Sequence, residues 1–213
     1  MAMSWKKSLR GSVRAALAVA AGLAALPMTA SAAPKAAGAP PIKAVDADNH
    51  HIVLNKPGMV SVIIGTSEDS QDAARRAGRA MYPFQGLSDF QLIVVVDLRD
   101  SIASWVPSVV IDHMRRSLDQ EAVELKPYYL KNGNKNNPRH FCHVVPDFKG
   151  TIVPKLNWGG TPDQLHAIIY GPDGREVRRW DAVSDMNVLA TAVHGALEDA
   201  YLAGQKAHPP AVH

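Results

Sequence analysis

The sequence contains a single cysteine, Cys142, among its 213 residues. One thiol forms no disulfide within a chain and supports no two-cysteine exchange cycle. The fold must therefore be held together by packing. Glycine-rich phosphate loops are also absent, because neither Gly-x-Gly-x-x-Gly nor Gly-x-x-x-x-Gly-Lys occurs. These absences argue against a dithiol oxidoreductase and against the common nucleotide-binding folds.

The apolar stretch near the N-terminus, Ala15–Leu26, is too short to cross a bilayer, for which about 20 residues are needed. Four basic residues precede it: Lys6, Lys7, Arg10 and Arg14. The small residues Ala30-Ser31-Ala32 follow it. This order predicts a secretory signal peptide over residues 1–32 that is cleaved after Ala32, with a membrane-anchoring N-terminus as the alternative. The residue directly after the predicted cleavage site is not a cysteine, which argues against a lipid anchor.

Cleavage after Ala32 leaves 181 residues, enough for one domain with a substantial core. The leader carries four positive charges and no acidic residue, so a net charge of +3 for the whole chain becomes −1. Nothing in this balance points to nucleic acid or an anionic membrane as a partner. We therefore expect a periplasmic or secreted protein that binds no nucleic acid and has no stable membrane insertion after cleavage.

The rest of the chain divides into three segments by composition. Residues 33–43 are rich in alanine, proline and glycine and predict a flexible linker. Residues 44–203 carry the alternating apolar segments of one domain, which opens with a small β-hairpin over Ala44–Leu54. Residues 204–213 predict a loose tail.

A β-α-β unit forms the predicted centre of the domain. Met59–Ile64 is a short apolar strand that leads through Ser67-Glu-Asp-Ser70 into a helix ending near Met81. Ser67 is the predicted helix N-cap. Phe90–Asp97 is a continuous apolar run, typical of a strand buried on both faces of a parallel sheet.

The second half of the domain predicts a helix, a loop, a hairpin and a last helix. The predicted elements are a helix from Pro107 to about Lys126-Pro127, a mobile loop over Lys131–Pro138, a strand over Phe141–Val145, a hairpin of Leu165–Tyr170 with Glu176–Trp180, and a helix from the cap Ser184 to about Leu202 that Gly204 closes. The predicted buried face of the first of these helices consists of Val110, Ile111, Met114 and Leu118.

This order of elements, with the turn Asp147-Phe-Lys-Gly150 and the hairpin turn Gly171-Pro-Asp-Gly174, resembles the thioredoxin fold in its redoxin/TlpA-like branch. The resemblance implies an α/β fold with a mixed sheet of four or five strands, flanked by helices on both faces. The overall pattern is also similar to the cysteine-poor periplasmic proteins of the YtfJ type. A flavodoxin-like or other α/β sandwich is the structural alternative.

In that family the first helix begins with Cys-x-x-Cys, and a gapless alignment of the strand places Ser67 and Ser70 at the two cysteine positions. The family also has a cis-proline before the hairpin strand, where this chain has Leu165, while Pro162 lies three residues earlier. A helix N-terminus lowers a thiol pKa enough to form a thiolate, but a serine hydroxyl needs an adjacent base. The resemblance therefore implies a degenerate active site at Ser67, Ser70 and Leu165.

Other residues offer weaker candidates for chemistry. Histidine and cysteine are metal-ligand types, and three of them lie close together in the sequence: His140, Cys142 and His143. His50, His51 or Asp147 would complete a metal site. In a strand, however, the His143 side chain lies on the face opposite those of His140 and Cys142. A buried cysteine beside surface histidines is the alternative, and an exposed Cys142 would suit redox sensing. Asp97 and Asp100 are candidates for an acid–base pair or for strand-end caps. Three tryptophans are predicted to pack in the core or the hairpin: Trp105, Trp158 and Trp180.

We expect an exported thioredoxin-like protein without dithiol activity that acts as a binding or accessory module, with no cofactor. Its expected partner is an envelope protein or a small ligand. The alternative is a redox or metal-binding protein that uses Cys142. In a third hypothesis, the segment Lys131–Arg139 docks a partner.

Overall fold

The computed structural model of the protein describes residues 39–101, 105–158 and 164–207. The predicted signal peptide, its cleavage site, most of the predicted linker, Pro162 and the end of the predicted tail lie outside the described residues. Across the described ranges, no helix combines the length and the apolar character that a membrane span requires.

The described residues form seven strands and three α-helices. The strands are β1 (Lys43–Val45), β2 (His51–Val53), β3 (Val60–Thr66), β4 (Phe90–Asp97), β5 (His143–Asp147), β6 (His166–Tyr170) and β7 (Glu176–Trp180). The α-helices are α1 (Gln71–Ala80), α2 (Pro107–Lys131) and α3 (Met186–Ala207). Short 3-10 helices cover Tyr82–Phe84, Pro138–Phe141 and Pro154–Leu156.

The main sheet has the strand order β5-β4-β3-β6-β7. The strands β3, β4 and β5 are parallel, whereas β6 runs antiparallel to β3 and β7 antiparallel to β6. The strands β1 and β2 form a separate antiparallel pair. The chain therefore has the thioredoxin-like α/β fold that the sequence predicts, with five strands in a mixed sheet.

The central strand is β3, and all seven of its residues are buried. Successive side chains alternate between the two faces of the sheet, so Val62 and Ile64 join one apolar core while Ile63 joins the other. Burial of this strand on both faces explains why its sequence is continuously apolar instead of alternating. The predicted strand is confirmed, and it extends two residues further, to Thr66.

The two faces of the sheet are covered by different elements. On one face, α1 and α3 pack against β3, with Ala77 and Leu189 fully buried between them. The second half of α2 packs beside them, where Leu118 and Leu125 form a third cluster with Cys142. The hairpin of β1 and β2 and the buried Leu156 cover the opposite face.

Three predicted helix boundaries are wrong: the end of α2 and both ends of α3. The helix α2 continues through Pro127 to Lys131, although proline removes one helical hydrogen bond. The helix α3 begins at Met186 and extends to Ala207, beyond Gly204. Its cap is Asp185 and not Ser184, because Asp185 Oδ1 accepts the Asn187 N–H over 2.8 Å.

Two segments predicted to be flexible are tied to the domain by asparagine side chains. Asn55 Oδ1 accepts the Ile42 N–H over 2.7 Å, and Asn55 Nδ2 donates to the Pro40 carbonyl over 3.0 Å. In the predicted mobile loop, Asn132 Nδ2 donates to the Gln85 carbonyl over 2.8 Å and Asn134 Nδ2 to the Gly86 carbonyl over 2.9 Å. These bonds fix both segments against neighbouring backbone.

Candidate functional site

The turn between β3 and α1 carries the predicted degenerate active site. The strand β3 ends at Thr66 and α1 begins at Gln71, so Ser67 and Ser70 lie in the connecting turn. The prediction that Ser67 caps the helix is wrong, because the cap position is Ser70. The Ser70 side chain makes no capping hydrogen bond and instead contacts the end of the strand.

That contact is a compact set of hydroxyl hydrogen bonds. Ser70 Oγ accepts the Ser67 N–H over 3.0 Å and lies 2.9 Å from Thr66 Oγ1. Ser67 Oγ accepts the Asp69 N–H over 3.3 Å and lies 3.5 Å from Ser70 Oγ. The two serines are only 7% and 4% exposed. Their partners are backbone N–H groups and other hydroxyls, which order the turn but do not activate a nucleophile.

Leu165 lies immediately before β6, in the place where the resemblance implies a cis-proline. Its side chain is 3% exposed and belongs to the apolar core with Leu189 and Val193. Its carbonyl accepts the Val183 N–H over 2.7 Å. The structure therefore brings Leu165 into the core, where its side chain offers a substrate no polar contact.

A small cavity of about 190 Å³ opens on the other face of the sheet, near the carboxyl ends of β3 and β4. Trp158 and His166 line it with stacked rings whose centroids are 5.5 Å apart. Within the described residues, neither Trp158 Nε1 nor His166 Nδ1 has a hydrogen-bond partner. Burial lowers the pKa of His166 below its ordinary value. The cavity can hold several water molecules or one small polar ligand.

The indole of Trp158 lies directly over Gly65 in β3. A Cβ atom at Gly65 would be 2.5 Å from Trp158 Cζ3, which is closer than carbon atoms approach in proteins. A glycine is therefore required here for close packing. The prediction that Trp158 packs in the core is confirmed, whereas Trp105 is 85% exposed and that prediction is wrong. Trp180 packs at the edge of the core, as predicted.

Asp97 and Asp100, the candidate acid–base pair, border the same small cavity. Burial acts to raise the pKa of Asp97, but hydrogen bonds from the Arg99 side chain and backbone outweigh burial and hold it below its ordinary value. Arg99 Nη2 lies 2.7 Å from Asp97 Oδ2. Asp97 is therefore an ionised member of an ion pair and a poor general acid at neutral pH.

Cys142 is buried, with 9% of its surface exposed, and its thiol donates to the Pro138 carbonyl over 3.3 Å. Burial raises the pKa of the Cys142 thiol to about 12, with a smaller contribution from the charge of Glu121. The thiol therefore remains protonated at physiological pH, and a protonated buried thiol is a weak nucleophile and a weak metal ligand. This geometry does not favour redox sensing by Cys142.

The structure does not bring His140, Cys142 and His143 together as a ligand set. His140 is exposed on a 3-10 turn, while His143 Nδ1 lies 2.8 Å from Asp46 Oδ2. Among the residues that the structure describes, the three ligand-type side chains whose atoms lie within 4.8 Å of one another are Asp46, Asp48 and His50. The ligand types predicted from the sequence include His50 and His143 but not Asp46, which lies 97 positions before His143.

The carboxylates of this cluster already have protein partners. Asp46 Oδ1 accepts the Asp48 and His50 N–H groups over 2.9 and 2.8 Å. Arg139 binds both oxygens of Asp48 over 2.6 and 2.9 Å, and this pairing is the main cause of a pKa for Asp48 below its ordinary value. The cluster fixes the β1–β2 turn against β5 and against the segment after α2. It therefore has a structural role.

Asp147, the other candidate ligand, is also satisfied by the protein. Its carboxylate is 3% exposed and accepts the N–H groups of Thr151, Ile152 and Val153 over 2.7, 2.8 and 3.0 Å. These bonds close the turn that leads from β5 across the sheet. The predicted turn at Asp147–Gly150 is confirmed, and its carboxylate organises the turn.

A second cavity, larger than the first at about 630 Å³, was not predicted from the sequence. It lies between α1 and α2, above β4, on the face of the sheet that carries α3. Thr66 borders both this cavity and the smaller one, so the degenerate turn lies at the boundary between them. The sequence pattern that could have indicated this cavity is the apolar face of α2. In the structure, the first half of that helix is only partly buried or exposed.

No protein-family model matches the chain, and no curated protein matches it significantly. Similar solved structures include a secreted disulfide oxidoreductase of Mycobacterium tuberculosis, with 11% identity and a TM-score of 0.45 over 72% of this chain and 95% of that one. StoA of Bacillus subtilis has 10% identity and a TM-score of 0.45 over 73% and 97%. Copper-bound ScoI of Arabidopsis thaliana has 10% identity and a TM-score of 0.44 over 77% and 99%. At this distance, the fold assignment rests on the strand order of the chain itself.

Proposed function

We propose that the protein is an exported thioredoxin-like binding or accessory module without dithiol oxidoreductase activity. The observation that carries this proposal is the closed turn between β3 and α1. Ser67 and Ser70 stand at the positions of the family's dithiol, but their hydroxyls are buried and hydrogen-bonded to the turn itself. Hydroxyls arranged in this way order the turn after the central strand, and they provide no nucleophile for thiol–disulfide exchange.

Export follows from the predicted signal peptide over residues 1–32, so the proposed location is the periplasm or the exterior of the cell. The likeness to YtfJ-type proteins also stays a prediction from the sequence pattern. The proposed partner is an envelope protein or a small ligand. The hypothesis that Lys131–Arg139 docks a partner is weaker, because Arg139 is engaged by Asp48 and Asp119.

The test restores two thiols at the degenerate site. In the double variant Ser67→Cys/Ser70→Cys, we expect the two new thiols to form a disulfide when oxidised glutathione is added. The two hydroxyl oxygens are 3.5 Å apart, and the side chains need only a small adjustment to reach the sulfur–sulfur bond length of about 2 Å. The two thiols lose two protons and two electrons, which reduce glutathione disulfide to two molecules of glutathione.

Thiol counting after denaturation measures this result. The oxidised double variant is expected to show one free thiol, from Cys142, whereas the single variants Ser67→Cys and Ser70→Cys serve as matched controls with two. Three free thiols in the oxidised double variant would mean that these serines do not occupy the place of a dithiol, and the proposal would lose its main support.

A further inference from the structure

The larger cavity has the size and the lining of a small-molecule site. Its volume of about 630 Å³ lies within the range of roughly 300–1,000 Å³ found for ligand pockets. The floor is formed by Leu92 and Val94 of β4 and by Val144 of β5, which are only partly buried. An apolar sheet surface between two helices is usually filled by side chains from those helices.

The wall on the side of α2 is apolar but incompletely covered. Val110 and Met114 belong to the face that the sequence predicts to be buried, yet both line the cavity and are only partly buried. Val109 and Phe141 border the same space and are 60% and 45% exposed. Grouped exposed apolar residues of this kind mark binding surfaces. An apolar occupant would complete the amphipathic pattern of α2.

The wall on the side of α1 is formed in part by Gly78. A Cβ atom at this position would meet no other atom within 4 Å. A glycine inside a helix costs about 1 kcal/mol relative to alanine, and here no neighbouring atom requires it. Because Gly78 lines the cavity and has open space beside it, we expect a larger side chain there to reduce the cavity volume.

The acidic residue of the inner wall is Glu121, whereas the exposed rim carries charges of both signs. Glu121 is half-buried, and burial raises the pKa of its carboxyl; the Tyr82 hydroxyl and Arg79 act in the opposite direction, and the charge of Glu124 adds to the effect of burial. Tyr82 is buried and donates to Glu124 Oε2 over 2.9 Å. A partly desolvated carboxylate gains more from a neighbouring cation than a solvated one does.

The other charged residues of the lining are exposed. These are Glu68 in the turn before α1 and, on the helices, Arg75, Arg79, His113, Arg116 and Glu124. Arg75 is already paired with Asp72 over 3.1 Å. His143 also borders the cavity, but its Nδ1 faces Asp46. Arg79 is the lining cation that acts on Glu121, but its side chain is exposed and solvated, so the half-buried Glu121 sets the preference of the site.

We propose that this cavity binds a small amphiphile with an apolar body and a cationic head, the body lying on β4 between α1 and α2 and the head beside Glu121. The proposal rests on the binding role proposed above and names its ligand class. Amphiphile binding and disulfide formation in the double-cysteine variant are separate measurements, so either can fail without the other.

Three eight-carbon probes distinguish the head groups: octylamine, octanol and octanoate. Calorimetric titration of the purified protein at neutral pH, at probe concentrations below micelle formation, is expected to give the tightest binding for octylamine. The expected margin over octanoate is about tenfold, the order of one charge-assisted contact. Octanol is expected to bind with intermediate affinity.

Two variants and one control locate the site. Gly78→Leu fills the cavity and is expected to abolish binding of all three probes. Gly195→Leu is the matched control, because a Cβ at Gly195 in α3 also meets no atom within 4 Å and the residue lies outside the cavity. It is expected to bind octylamine as the unmodified protein does. Glu121→Gln preserves shape, and it is expected to reduce the affinity for octylamine to that for octanol.

Several outcomes would overturn the proposal. Tighter binding of octanoate, or equal binding of all three probes, would contradict the cationic head. Unchanged binding in Gly78→Leu would place the probes elsewhere on the molecule. Absence of binding by every probe would remove the site. If Gly78→Leu fails to fold, Glu121→Gln still decides, because retained octylamine selectivity in that variant contradicts the assignment.

Discussion

Replacing Asp147 by alanine is expected to destabilise the protein by about 3–5 kcal/mol. The substitution removes one acceptor from each of three N–H groups, those of Thr151, Ile152 and Val153. Each buried group left without a partner costs about 1–3 kcal/mol. Ile152 and Val153 are also buried, so water does not readily replace the carboxylate. Urea unfolding followed by circular dichroism measures the loss.

Asp97 provides a matched control, because it pairs directly with Asp147 in the register of β4 and β5. Its carboxylate accepts hydrogen bonds from the side chain and the backbone N–H of the exposed Arg99. Asp97→Ala is therefore expected to cost about 1 kcal/mol or less. Asp147→Asn keeps one oxygen acceptor and should fall between the two. Equal losses for Asp147→Ala and Asp97→Ala would contradict the role given to Asp147.

The second large effect is expected at Gly65, where Gly65→Ala should cost about 1–3 kcal/mol, the usual range for overpacking a core. The new methyl group would lie 2.5 Å from the indole of Trp158, so the ring must move away from its stacked position on His166. Thermal unfolding of the single variant measures this cost.

A double-mutant cycle with Trp158→Ala separates this contact from other effects of the methyl group. In the Trp158→Ala background, Gly65→Ala is expected to be nearly neutral, giving a coupling of about 1 kcal/mol or more. Gly195→Ala, at a helix position without neighbouring atoms, serves as the control and should be neutral or stabilising. Additive losses at Gly65 and Trp158 would show that the indole does not require the glycine.

The fold could be predicted where a local pattern determines the structure. The continuous apolar run of Phe90–Asp97 suits a strand covered on both faces, and Gly171-Pro-Asp-Gly174 suits a hairpin. Each pattern is sufficient by itself, because the hydrophobic period or the turn chemistry selects one backbone conformation. The mixed sheet of four or five strands that the resemblance implies is confirmed, with five strands.

Boundaries and sites depended on contacts that local rules do not contain. Ser67 is a suitable cap in the sequence, but the helix begins after Ser70, whose hydroxyl contacts Thr66 and Ser67 and does not cap the helix. Asp46 resembles an ordinary turn residue until the fold places His143 2.8 Å from it. The helix α2 passes Pro127 because tertiary packing of its second half outweighs the lost hydrogen bond.

The large cavity could not be predicted because it is a gap between two helices and not a property of either. The spacing of Val110 and Met114 correctly indicates an apolar face of α2, but the sequence does not tell whether protein or ligand covers that face. In the structure, the second half of the helix packs through Leu118 and Leu125 while the first half borders open space. Binding sites generally arise from such differences between local pattern and tertiary packing.

The protein has a thioredoxin-like fold in which serine hydroxyls order the turn at the carboxyl end of the central strand, and a cavity opens beside that turn. Its one thiol is buried, and burial raises the pKa of that thiol to about 12. The turn that carries Ser67 and Ser70 is held by its own hydrogen bonds, and the cavity beside it is lined by α1, α2 and β4.

The most direct test is the reduction of insulin disulfides by the unmodified protein in the presence of a small thiol reductant. We expect the rate to equal that of the reductant alone, because the chain has no dithiol and Cys142 remains protonated. A rate above that background, lost on replacing Cys142 by alanine, would contradict the account.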